Sequence, residues 1–135
     1  MVTIGFAVRP RGGGIAYVRV PGRGATGEAF VRVGFACRPL PALLGRDVAY
    51  AALTAVAEML LRRGIRDVEL RTDDRTVATD LAERRILPAT LTVPYVALRC
   101  KLNRFAAATV APVGADLTRD LVARARAEAS LDVAA

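Results

Sequence analysis

The groups able to do chemistry in this chain are carboxylates, arginines and two thiols, because histidine is absent. That absence removes Ser-His and Cys-His nucleophilic catalysis and any histidine general base. Cys37 and Cys100 are too few and too far apart in sequence for a disulfide framework or a four-ligand zinc set. They read as buried, reduced thiols. Asp73 and Asp74 follow a short alternating run, and Asp120 falls in the first turn of the last helical stripe. Aspartates at such places cap free backbone N–H groups or favour the helix dipole. The run Arg9-Pro10-Arg11-Gly12-Gly13-Gly14 has glycines enough to approach a phosphate. No strand-loop-helix context follows it, so a hairpin turn is the better reading.

Charge widens the field only slightly. Twenty basic residues stand against thirteen acidic ones, a formal net charge of +7, which suits a polyanionic partner. Lys101 is the sole lysine, and alanine and valine are abundant. A genome-wide codon bias would give the same profile, so charge alone does not assign nucleic acid. No apolar run reaches the roughly 18 residues of a membrane span. Met1-Val2-Thr3-Ile4 passes directly into alternating apolar residues, without the charged start or cleavage site of a secretory signal. The expectation is a cytoplasmic protein with no membrane partner. Its length of 135 residues suits one domain over 1–135, large enough for a hydrophobic core.

The elements that would position these side chains follow from periodicity. Val2, Ile4, Phe6 and Val8 alternate with smaller residues, predicting a first strand. Ile15–Val20 and Glu28–Cys37 predict two more, separated by Pro21-Gly22-Arg23-Gly24, so the first third is an antiparallel meander. From Val48 the spacing becomes helical through Ala52, Val56 and Leu60, with Asp47 as N-cap and Gly64 just past the end. Val68 and Leu70 form a short fourth strand, and Arg75–Arg84 a helix that Leu87-Pro88 ends. A further helix is expected from Pro94, as its first residue, to Arg104. Phe105–Val113 reads as a fifth strand. Leu117, Leu121 and Ala125 mark a closing helix, with 131–135 a frayed tail. The order βββαβααβα calls for an α/β fold, one mixed sheet with helices on its faces.

That order, and the residues Val48-Ala49-Tyr50-Ala51-Ala52-Leu53 followed by Gly64-Ile65-Arg66-Asp67-Val68-Glu69-Leu70-Arg71-Thr72-Asp73-Asp74, resemble type 1 ribonuclease H. The family opens its first helix with Glu-Tyr-x-Ala-Leu and ends a Gly-Ile-x-x-Val strand in Gly-Asp-Ser. Asp116-Leu117-Thr118-Arg119-Asp120-Leu121-Val122-Ala123 resembles the family's last helix, Asn and then Ala-Asp-x-Leu-Ala. The resemblance implies the ribonuclease H-like fold, a mixed five-stranded sheet whose second strand runs against the others. It also implies four carboxylates holding two Mg²⁺. Two hard cations about 4 Å apart need several anionic oxygens, and together they clamp the attacking and leaving oxygens.

The carry-over gives a degenerate active site. Asp73 matches the aspartate after the fourth strand, and Asp120 that of the last helix. Ala49 replaces the first-helix glutamate, and Asp47 lies about 200° around the helix from it. The first-strand aspartate is missing too, because no acid precedes Glu28; Ala7 or Val8 stands near its place. Asp73 and Asp120 are then vestigial catalytic carboxylates and at most weak Mg²⁺ ligands.

The expected function is a pseudoenzyme that binds nucleic acid, an RNA–DNA hybrid or a structured RNA. Arg9, Arg11, Arg19, Arg75 and Arg104 are its expected phosphate contacts, which position without reading sequence. Two alternatives stay open: a divergent Mg²⁺-dependent ribonuclease H, and a structural protein-interaction module, for which a homodimer is the assembly in view.

Overall fold

Alternation makes the first strand two-faced. In β1 (Val2–Val8), Val2, Ile4 and Phe6 join the main core, which leaves Thr3, Gly5 and Ala7 on the opposite face. β2 (Gly14–Pro21) runs antiparallel beside it, and β3 (Glu28–Phe35) antiparallel beside β2. β4 (Asp67–Thr72) and β5 (Ala107–Pro112) are parallel to β1, giving one sheet in the order β3-β2-β1-β4-β5. The computed structural model describes residues 1–10, 12–21, 28–83 and 86–134. The expected second turn at Gly22-Arg23-Gly24 and the phosphate candidate Arg11 lie outside them.

Four helices complete the domain: α1 (Arg46–Arg62), α2 (Arg75–Glu83), α3 (Ala89–Leu102) and α4 (Ala115–Ala134). Leu53, Val56 and Leu60 of α1, Val77 of α2, and Leu91 and Leu98 of α3 share one core with Ile4, Val18 and Leu70. α4 packs on the other face, against β1 and β2. This is the expected βββαβααβα order, with a 3-10 turn at Pro41–Leu43 added before α1.

Several details differ from the sequence reading. α1 is capped by Gly45 in the left-handed region, not by Asp47. Asp47 lies inside the first turn, where its carboxylate accepts the Leu40 N–H at 2.8 Å and fixes the chain entering the helix. α3 begins at Ala89, so Pro94 is within the helix. Leu91 draws the earlier turn in, because it is fully buried with Leu98 and Leu102 beyond the proline. In α4 the stripe is Thr118, Leu121, Ala125 and Ala129; Leu117 is half exposed, and the helix continues to Ala134. Cys100 is exposed and Cys37 half buried, so the expected burial of both thiols does not hold, although both are free.

Candidate functional site

β1, β4 and β5 are parallel, so their C-terminal ends line one edge of the sheet and set their following loops side by side. At that edge β4 delivers Asp73 and Asp74. Asp74 starts α2: its Oδ1 accepts the Val77 N–H at 3.0 Å, the geometry of an N-cap. Its own N–H donates to Thr72 Oγ1 at 3.2 Å. Burial holds the Asp74 carboxyl above the ordinary carboxylate range, while the Val77 N–H pulls the other way.

Asp73 is half buried, and Thr118 of α4 donates to its Oδ2 at 2.9 Å. Thr118 is fully buried, so the contact ties the end of β4 to the first turns of α4. Two residues along a helix turn about 200°, which sends Asp120 elsewhere. Asp120 is exposed and ion-paired with Arg19 of β2. The Arg19 hydrogen bond holds its carboxyl below the ordinary range. Asp73 and Asp120 are thus held by different partners, and the α4 residue that meets Asp73 is Thr118.

The strand register shows which first-strand residue is level with Asp73. Val2 pairs with Leu70 and Thr3 with Arg71; continued two residues past those pairs, beyond the end of β4, the same register sets Gly5 level with Asp73. Of the first-strand residues it is thus Gly5, rather than Ala7 or Val8, that is level with Asp73. A Cβ built there lies 2.6 Å from both Leu121 Cβ and Val122 N of α4, so helix backbone fills the space an aspartate would need. Ala49 is fully buried in the main core. Among the described residues no three of His, Cys, Asp or Glu gather where they could hold a metal. The donor set does not fit the Mg²⁺ pair that the resemblance implies: Gly5 and Ala49 supply no side-chain oxygen, and Thr118 and Arg19 occupy the two aspartates.

The arginine candidates are divided. Arg9 follows β1 and is half buried, and its charge reaches Glu128 of α4. Arg75 is exposed at the start of α2, at the same sheet end as Asp73. Arg104 is exposed but precedes β5, at the opposite end of the parallel strands. Arg19 lies against Asp120 and over the Phe30 ring. The glycine loop is a turn: Gly12 N donates to Arg9 O at 3.2 Å and Gly13 N to Cys37 O at 2.9 Å, which commits both N–H groups.

One polar cluster is missing from the sequence reading. Asp80 is buried in α2 and accepts Tyr50 Oη at 2.9 Å and Arg46 Nη2 at 2.7 Å. Burial and the Asp80 carboxylate push the Tyr50 hydroxyl well above the usual tyrosine range. The signal was present: Asp80 sits three residues after Val77 and one before Leu81, on an apolar stripe where an acid needs a partner.

No family model and no curated protein matches the sequence. Solved structures do match. Ribonuclease H1 from the halophilic archaeon Halobacterium salinarum superposes with a TM-score of 0.76 at 22% identity, over 97% of this chain and 96% of that one. The N-terminal ribonuclease H domain of a Mycobacterium tuberculosis protein gives 0.63 at 16% identity, over 95% and 97%. LC11 ribonuclease H1, solved in complex with an RNA/DNA hybrid, gives 0.64 at 12% identity, over 95% and 96%. With the strand order, direction and helix placement above, these likenesses show that the chain has the ribonuclease H fold.

Proposed function

We propose that this domain binds nucleic acid, an RNA–DNA hybrid or a structured RNA, without hydrolysing it. The observation that carries the reading is α4 lodged against Gly5 beside Asp73, where a metal-binding carboxylate would have to stand. A structure with the same fold holds an RNA/DNA hybrid, which supports a hybrid as ligand. The excess of arginine supports a polyanion. Arg75, with Arg9 on the neighbouring loop, is the proposed phosphate contact at the Asp73 end; Arg11 stays a candidate outside the described residues, and Arg104 would touch phosphate only on a ligand reaching the far end. The protein-interaction reading comes second. It is favoured by an apolar groove of about 540 Å³ between the 34–38 segment, α1 and α3, with Val93 largely exposed at its rim.

Salt dependence tests the binding. Hybrid affinity is expected to fall by roughly 0.9 log units per tenfold salt for each phosphate neutralised. Replacing Arg9, Arg11 and Arg75 by alanine should flatten the slope. A wild-type protein that ignores hybrid, duplex and structured RNA at low salt would put the interaction module first.

A further inference from the structure

The sheet face under α4 carries a charged strip on β2 and β3. Across the β2–β3 register Arg19 stands opposite Phe30, and Tyr17 opposite Arg32. α4 meets this strip with residues one turn apart. Asp120 pairs with Arg19; Arg124 places its guanidinium 4.7 Å from the Phe30 ring centroid; Glu128 pairs with Arg32 and accepts Tyr17 Oη at 2.7 Å. Arg19 approaches the same ring at 5.6 Å.

Two features go beyond what fastening a helix requires. Phe30, a large apolar ring, is 45% exposed. Among the described residues Arg19 pairs with Asp120 and Arg32 with Glu128, while the Arg124 guanidinium lies over the Phe30 ring and is exposed. A half-exposed aromatic ring covered by a planar cation is a stacking surface. A base can lie on the outer face of the guanidinium, and flanking arginines can follow the phosphates.

We infer that the Phe30–Arg124 stack, flanked by Arg19 and Arg32, is a binding surface for single-stranded nucleic acid. The inference shares with the proposed function the class of partner, and it concerns different residues, on β2, β3 and the outer flank of α4. Stacking needs unpaired bases, which a duplex or hybrid held at the Asp73 end does not present. Sequence preference should be weak, because every base has a π-face.

The test is fluorescence anisotropy with labelled oligo(U) and oligo(dT) of about twelve nucleotides, alongside a hybrid of similar length. Phe30→Ala is expected to weaken oligomer binding about tenfold with little change in salt slope. Phe30→Leu, which keeps bulk but has no π-face, should lose nearly as much, and unchanged far-ultraviolet circular dichroism would set misfolding aside. Arg124→Ala should weaken binding to a similar degree, because it removes the plane on which the base lies. Hybrid affinity should survive all three changes while responding to Arg75→Ala. Failure of the hybrid experiment alone would leave this surface standing. Oligomer binding that Phe30→Ala and Phe30→Leu leave at the wild-type level would overturn it, as would equal, Phe30-dependent binding of poly-glutamate.

Discussion

Gly5 decides more about this site than any charged residue does. Its missing side chain lets the α4 backbone approach β1, and the same approach excludes an acid beside Asp73. Gly5→Ala is expected to cost at least about 2 kcal/mol, since its Cβ meets backbone that cannot swing away. For a domain of this size that lowers the melting temperature by about 7 °C. Gly34→Ala is the control: nothing lies within 4 Å of its added Cβ, and it should be near neutral in the same melting experiment. Gly5→Asp should destabilise further rather than supply a ligand. None of this was legible in the sequence, where Gly5 is one small residue in an alternating strand. Asp73 was legible, because its motif is local; its bond to Thr118 spans the chain from one element to another.

Among the elements, α4 depends most on polar contacts. Its buried stripe is Thr118, Leu121, Ala125 and Ala129, which offers little apolar area, and Asp120 and Glu128 fasten its flank to β2 and β3. The Arg19 hydrogen bond lowers the Asp120 carboxyl; the Tyr17 hydroxyl, and then Arg32, lower Glu128. A carboxyl with a depressed folded-state value stabilises the fold above its unfolded value, and loses that contribution as pH falls through the folded one. The fastening should therefore be intact at neutral pH and fail on acidification below about pH 4. Melting temperature measured against pH checks this. The wild type is expected to lose stability more steeply on acidification than an Asp120→Asn, Glu128→Gln double variant, and parallel curves would speak against the fastening. Asp120 is exposed and Glu128 lies partly buried at the surface, so the effect should be modest and weaken in high salt. Periodicity made α4 legible as a helix but placed Leu117 in its stripe. Leu121 and Ala125 hold as stripe residues, and one turn earlier the inward residue is Thr118, which bonds Asp73, while Leu117 is half exposed. α3 shows the reverse failure: Pro94 reads locally as a helix start, and only the burial of Leu91 by distant residues extends the helix back to Ala89.

At the scale of the whole molecule, the fold was legible because each strand alternates and each helix carries its own stripe, so the order of elements constrains the sheet. The site was less legible, because convergence of carboxylates is a tertiary property. Asp73 and Asp120 match their motif positions, yet one is held by Thr118 and the other by Arg19. The chain has the ribonuclease H fold, and its last helix packs against Gly5 of the first strand; the proposed loss of catalysis follows from that packing. Incubating the purified wild-type chain with a labelled RNA–DNA hybrid, in Mg²⁺ and separately in Mn²⁺, tests this most directly. Two ions carry four positive charges, and two aspartates with different partners do not supply the oxygens to clamp both attacking and leaving groups. The expected result is a shifted but intact hybrid, with no RNA cleavage above background in either metal. Metal-dependent cleavage by the wild type, abolished by Asp73→Asn, would contradict it.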